Sequence, residues 1–251
     1  MMERLAVELA AVPKLETVRR ALFIQPHPDD NEIGAGGTMA YLLSRGAEVF
    51  GLTVTDDRLD CPPDQYRDGL SLRQREALDA MARLGVQSAG FLGFADKTDA
   101  TAEQIAEKIV PVIRRLRPDA VFSVDPTLTN ECHRDHIKTG WAVRYAVMDA
   151  VCDFCPRLPD NARHTDPWHV GILGQYFTAE PNAYADIGAF WDAKLDAVKR
   201  HRSQVEPTLL LALDAQSRWF GQKAGVKRAE ALKLYSFLQL HCFNLPVEPA
   251  K

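Results

Sequence analysis

Short β-rich runs alternate with runs of helical period, and this alternation restricts the folds open to the chain more than any other feature. Ala21–Gln25 (ALFIQ) reads as a buried strand and Gly36–Arg45 as a helix closed by Gly46. Glu48–Thr55 (EVFGLTVT) reads as a second strand, and Leu70–Leu84 as an amphipathic helix with Gly85 as its stop. Val86–Phe94 follows as a third strand, a helix capped by Thr101 runs to Arg117, and Asp119–Val124 is a fourth strand. His136–Val151 reads as helix, Val170–Phe177 as strand, and Gly188 onward as mostly helical. Strands separated by helices of this length build βαβ units, so the expected fold is α/β with a mostly parallel sheet flanked by helices.

The chain has 251 residues, 46 % hydrophobic and 25 % charged, with a formal charge of 30 − 34 = −4. That composition excludes a disordered polyelectrolyte and argues against a dedicated nucleic-acid partner. No run approaches the ~18 apolar residues of a membrane span. Glu3 and Glu8 interrupt the N-terminal stretch where a secretory segment would need an apolar core, so the expected compartment is the cytoplasm. Five scattered cysteines (Cys61, Cys132, Cys152, Cys155 and Cys242) without an export signal predict free thiols.

In open parallel sheets, ligands bind beyond the carboxyl ends of the strands. Directly after the first strand stands Pro26-His27-Pro28-Asp29-Asp30-Asn31-Glu32, and then Gly34-Ala35-Gly36-Gly37. A turn and a helix cap account for the prolines and one aspartate, but not for a histidine between two prolines followed by consecutive carboxylates. After the fourth strand come Asp125, a loop, and His133-Arg134-Asp135-His136. Adjacent parallel strands would bring the two clusters together. A catalytic zinc takes three ligands from His, Asp or Glu and leaves a position for water, whose pKa it lowers to about 7. His27, Asp30 and one of the two later histidines meet that count. Asp29 is then placed to accept a proton, and the remaining histidine, oriented by Asp135, to stabilise an oxyanion.

These motifs resemble the LmbE/PIG-L-like superfamily of zinc-dependent N-acetylglucosaminyl de-N-acetylases. Supporting agreement comes from Arg73-x-x-Glu76, Phe91-Leu92-Gly93 with Asp96, and Lys194 with His201-Arg202-Ser203-Gln204. The resemblance covers about residues 20–205 as ordered anchor motifs. It implies a Rossmann-like fold, with residues 1–251 forming one domain and a helical C-terminal region from about 206. It implies His27, Asp30 and His136 as zinc ligands, Asp29 as general base and then acid, and His133 paired with Asp135 at the oxyanion. It assigns Arg73 and Asp96 to sugar hydroxyls, an N-acylated amino sugar or glycoconjugate as substrate, and homo-oligomers as a common state. Another divalent transition metal is compatible with the same donors.

The chain departs from many members at Asn31, where they carry Glu, with Glu32 following. Glu131, just before the second motif, can approach substrate and, with the 56–68 loop, leaves the substrate open. A zinc amidase acting on a thiol conjugate or other non-sugar amide, or a non-catalytic binding module, are the alternatives. Helix amides near Gly36 are placed to meet an anionic group. His201 reads as structural, the lone Cys152-x-x-Cys155 as buried thiols, and Val205–Leu213 as core or an oligomer contact.

Overall fold

Strands β1 (Arg20–Gln25), β2 (Glu48–Thr55), β3 (Gln87–Phe94), β4 (Ala120–Val124) and β5 (Ile172–Tyr176) run parallel in the order β3-β2-β1-β4-β5. The computed structural model describes residues 11–57, 62–153 and 165–241. Two further strands extend the sheet beyond β5: β7 (Ala229–Ser236) pairs antiparallel with β5, and β6 (Ala183–Asp186) pairs antiparallel with β7 at the edge. Among the described residues, six helices flank the sheet: α1 (Asp30–Ser44), α2 (Leu72–Leu84), α3 (Ala102–Leu116), α4 (Arg134–Asp149), α5 (Trp191–Val198) and α6 (Pro207–Ala224).

Alternation along the central strands divides the core in two. Leu22 and Ile24 of β1 point to one face, where they pack with Ile109 and Ile113 of α3 and Val143 and Val147 of α4. Phe23 points to the other, among Met39 of α1, Met81 of α2 and Trp191 of α5. There its ring stacks on Phe122 of β4, with centroids 4.4 Å apart. Gly174 of β5 must be glycine for this stack to fit, since a Cβ would lie 2.2 Å from the Phe122 ring. Chain order reverses at β1, whose neighbours are β2 and β4. This switch point opens a crevice between the loops that follow β1 and β4.

The helix boundaries have local causes. Capping boxes start α2 (Ser71 with Gln74) and α3 (Thr101 with Gln104), and Gly85 ends α2 in the left-handed region at φ 87°. Helix α1 begins at Asp30, six residues before the expected start, but its dihedrals break at Ala35 (φ −141°, ψ 16°). The glycines at 34, 36 and 37 permit that kink. The C-terminal region departs from the helical expectation: α6 is a helix, but residues 229–236 (AEALKLYS) form β7. Ala, Glu, Leu and Lys favour helix intrinsically, and the ladders to β5 and β6 override that preference.

Of the apolar run Val205–Leu213, Leu213 reaches the core, whereas Leu211 is 72 % exposed. Cys132 and Cys152 are exposed, the latter against the expectation of a buried thiol; Cys61, Cys155 and Cys242 lie outside the described residues. Among the described residues, no helix is long and apolar enough to cross a membrane.

Candidate active site

The loop after β1 is pinned from below. Gln25 ends the strand, and its Oε1 accepts the Asn31 N–H at 2.8 Å while lying 3.5 Å from the Asp29 nitrogen. Thr55 of β2 donates its N–H and hydroxyl to the Pro26 carbonyl, each at 3.0 Å. Between these anchors Asp29 adopts φ 139°, a conformation an L-residue keeps only where its surroundings enforce it. Asn31, the departure from the family pattern, is an internal tie: its amide donates to the Phe23 carbonyl, and its oxygen accepts from the Tyr176 hydroxyl at 2.8 Å. Glu32 turns away from the crevice, with Oε2 3.4 Å from His201 Nε2, both side chains fully buried. His201 thus sits apart from the other histidines, as the sequence suggested.

The loop after β4 supplies the opposite wall. Asp125 accepts the Thr127 N–H and hydroxyl, which turns the chain toward the crevice. Glu131 Oε1 accepts the His133 N–H at 2.7 Å, and Oε2 lies 3.0 Å from His136 Nδ1. His133 is the N-cap of α4, its Nδ1 accepting the Asp135 N–H at 3.3 Å.

The two loops meet. One donor atom from each of His27, His133 and His136 lies within 4.8 Å of the others. Asp30 bridges two of these imidazoles, with Oδ2 3.5 Å from His27 Nδ1 and Oδ1 3.4 Å from His136 Nε2. A second donor group, His27 with Asp96 and Asp135, meets the same distance criterion.

The charges bear on what this donor set could hold. Burial works against a charged His27, yet hydrogen bonds to Asp135 and Asp30 and their charges push its pKa up to about 10. On His136 burial is likewise outweighed, by the hydrogen bond to Asp30 and the charges of Asp30 and Glu131, and its pKa rises. Burial would raise Asp30, but hydrogen bonds from His136 and His27 hold it well below the usual carboxylate range. Carboxylates that hold protons on neighbouring imidazoles are a site short of positive charge, and a dication with three N and O donors supplies it. The residues present fit a divalent metal.

Asp29 behaves oppositely to its neighbour. Burial and the Asp30 charge push its pKa up to about 7, against the opposing charges of Arg73, His201 and His27. For His133, burial and the nearby His27 and His136 charges depress the pKa, so it stands neutral at pH 7.

Three of the expected site residues have partners within the protein. Asp135 leans on His27 rather than His133: its Oδ2 is 3.2 Å from His27 Nε2 and 4.0 Å from His133 Nδ1, and it accepts the Lys97 N–H at 2.7 Å. Arg73 is buried within the protein, with Nη1 2.7 Å from Asp57 Oδ1 and Nη2 3.4 Å from Asp29 Oδ2. Glu131 backs His136. Two supporting motifs also meet, as Ser203 donates its N–H and hydroxyl to Glu76, one helical turn from Arg73.

Sequence reasoning missed Glu230. At the α1 kink, its carboxylate accepts the Gly37 N–H (2.9 Å), the Thr38 N–H (2.7 Å) and the Thr38 hydroxyl (2.6 Å). The anion expected at these amides is therefore the protein's own. Lys194 pairs with Glu230 and donates to the Ile33 carbonyl at 2.7 Å. No local pattern marks Glu230, which sits almost two hundred residues downstream in a strand that reads as helix. Lys194→Met strands a buried carboxylate and is expected to destabilise the fold by about 3–5 kcal/mol. Thermal unfolding should record a drop of about 6–20 °C, with part recovered when Glu230→Gln is added.

A family profile described as PIG-L, GlcNAc-PI de-N-acetylase, matches residues 22–147. The chain is also 32 % identical over 230 residues to the diacetylchitobiose deacetylase of Thermococcus kodakarensis, covering 89 % of this chain and 86 % of that protein. The chain belongs to the PIG-L family. Another relative is a probable N-acetyl-alpha-D-glucosaminyl L-malate deacetylase of Bacillus cereus, 29 % identical over 76 % of this chain and 86 % of that one. Among solved structures, the N,N'-diacetylchitobiose deacetylase of Pyrococcus horikoshii, complexed with its inhibitor MPG, superposes with a TM-score of 0.79 at 27 % identity. That alignment covers 92 % of this chain and 88 % of the other. These relatives are N-deacetylases, and this PIG-L protein is a hydrolytic enzyme of the same kind.

Proposed function

We propose that this PIG-L protein removes the N-acetyl group of an amino sugar or glycoconjugate by hydrolysis, using a divalent metal, with zinc first in order, held by His27, Asp30 and His136. The observation that carries the reading is the meeting of the β1 and β4 loops, which brings three imidazoles together, two of them bridged by Asp30, with the high-pKa Asp29 alongside. When bound, the metal supplies Lewis acidity toward the amide carbonyl and makes a water more acidic.

The remaining chemistry belongs to the chain. Asp29 takes a proton from the attacking water and returns it to the departing amine. Burial and the Asp30 charge hold its pKa up, at about 7 without a cation, which makes it a stronger proton acceptor than an ordinary carboxylate. The strained backbone at Asp29 directs its carboxylate, and Arg73 steadies it from 3.4 Å. His133 accepts the Asp135 N–H at Nδ1, so its proton sits on Nε2 and can donate to the oxyanion as charge develops. Asp135 orients His27 by accepting from its Nε2 side, which leaves Nδ1 toward Asp30 and the metal. Glu131 does the same for His136, leaving Nε2 inward.

Primary-amine release tests the reading. The zinc-loaded protein should deacetylate N-acetylated glucosamine derivatives, lose that activity on chelation and regain it with Zn²⁺. Release from a thiol-conjugate amide in preference to any amino sugar would contradict the substrate class. Zinc binding with no amine released from any acyl-amine would favour the binding module.

A further inference from the structure

Helix α1 carries Asp30 at its first position, directly after Asp29, and bends at Ala35. A regular helix would join the two sides of that bend through its own ladder, the Ile33 carbonyl accepting the Gly37 N–H. Here an ion pair from two distant elements stands at these groups. Lys194 Nζ of α5 donates to the Ile33 carbonyl at 2.7 Å. Glu230 of β7 accepts the Gly37 N–H at 2.9 Å and the Thr38 N–H at 2.7 Å. Because Lys194 also pairs with Glu230, the first turn of α1 and the body of the helix are held to each other through these two side chains.

The turn is fitted on both sides. A Cβ on Gly34 would lie 2.2 Å from the Tyr176 ring, so the turn presses on β5, where the Tyr176 hydroxyl donates to Asn31. The Lys194 stem passes the bend so closely that a Cβ on Gly36 would lie 3.2 Å from its Cγ.

Stability alone does not account for the ion pair. Lys194 and Glu230 are 3 % and 4 % exposed, and removing two charges from water offsets most of their attraction. Apolar side chains of similar volume would stabilise the fold as well or better. They would not serve the Ile33 carbonyl and the Gly37 and Thr38 amides at the bend, and buried backbone groups need partners. The pair therefore favours the bent helix over a straight one, in which those backbone groups would serve each other.

The bend matters for what the turn carries. The Asp29 carbonyl accepts the Ile33 N–H at 3.0 Å, so Ile33 is tied to Asp29 through its nitrogen and to Lys194 through its oxygen. Asp30 Oδ2 accepts the His27 N–H at 2.9 Å, and the two Asp30 oxygens reach the His27 and His136 rings. A swing of the first turn moves that bridging carboxylate.

We propose that Lys194 and Glu230 are positioning residues of the metal centre: the pair takes the place of helix bonds at the Ala35 bend and so aims Asp30 at the cation. The proposal rests on the reading of Asp30 as a metal ligand. The double variant Lys194→Met/Glu230→Gln leaves no buried charge unpaired, which separates positioning from the destabilisation expected of Lys194→Met alone. Its affinity for Zn²⁺, measured by chelator competition well below the unfolding temperature, should fall about 10–100-fold. The visible d–d spectrum of the Co²⁺-loaded double variant should differ from that of the wild type. Ile113→Ala, a core truncation in α3 on the other face of the sheet, should lose stability and keep both metal readouts. Glu230→Gln alone, which keeps an oxygen for one amide, should show the same changes at smaller size and decides the matter if the double variant does not fold. Wild-type zinc affinity and an unchanged cobalt spectrum in the folded double variant would overturn the proposal. Asp30→Asn tells the two readings apart. If it binds zinc as tightly as wild type, the ligand assignment fails and the positioning role with it; if it loses zinc while the double variant does not, the positioning role alone fails.

Discussion

Asp29→Asn is expected to lower kcat by about 10²–10⁴ while leaving bound metal in place. Asparagine keeps the size and polarity of the side chain but can neither take a proton from water nor return one to the amine. Asp29 is also not one of the three expected ligands, so its loss separates proton transfer from metal binding. The pH dependence supplies a second signature. Asp29 acts as a base only when ionised, so in the wild type kcat/KM falls as pH drops through its pKa. That pKa stands at about 7 without a cation, because burial and the Asp30 charge favour the protonated form. A bound dication draws it downward, placing the acid limb at or below pH 7, and Asp29→Asn should lose that limb. Metal content from elemental analysis, with kcat measured across pH, checks all three points. Near-normal turnover in a metal-loaded Asp29→Asn protein would take Asp29 out of the mechanism.

His136→Ala should fail at an earlier stage, by losing the metal. His136 Nε2 faces Asp30 at 3.4 Å while its Nδ1 is backed by Glu131, the arrangement of a ligand whose outer nitrogen is already committed. Removing the ring takes away one of three donors, so the loss of zinc affinity should exceed the ~10–100-fold that loss of an outer partner costs. Glu131→Gln supplies that comparison and should fall within the smaller range. Competition against a fluorescent zinc chelator measures both constants. A His136→Ala protein that binds zinc as tightly as wild type would contradict the ligand assignment.

The legible part of this protein was the part written locally. Buried runs such as ALFIQ and DAVFSV, with stops at Gly85 and caps at Ser71 and Thr101, mark elements through neighbours a few residues away. Both halves of the site could be read because each motif directly follows a strand, and the parallel order of β1 beside β4 brings them together. What stayed hidden depends on partners distant in sequence. Helix-forming residues in β7 become strand only because β5 and β6 lie on either side. Glu230 caps amides at the α1 kink from that same strand. Asp135 was expected beside His133, two positions away, but the backbone of Lys97 and the ring of His27 hold its carboxylate toward the β1 loop. Arg73 spans Asp57 and Asp29, two carboxylates from different loops, a placement its helix alone does not reveal.

Anomalous diffraction at the zinc edge, from crystals of the protein loaded with one equivalent of Zn²⁺, addresses the heart of this account. It should show one strong peak about 2.0–2.2 Å from His27 Nδ1, an Asp30 oxygen and His136 Nε2, with Asp29 and His133 close by but outside bonding distance. A peak centred instead on His27, Asp96 and Asp135, or no peak in the crevice between the β1 and β4 loops, would contradict it.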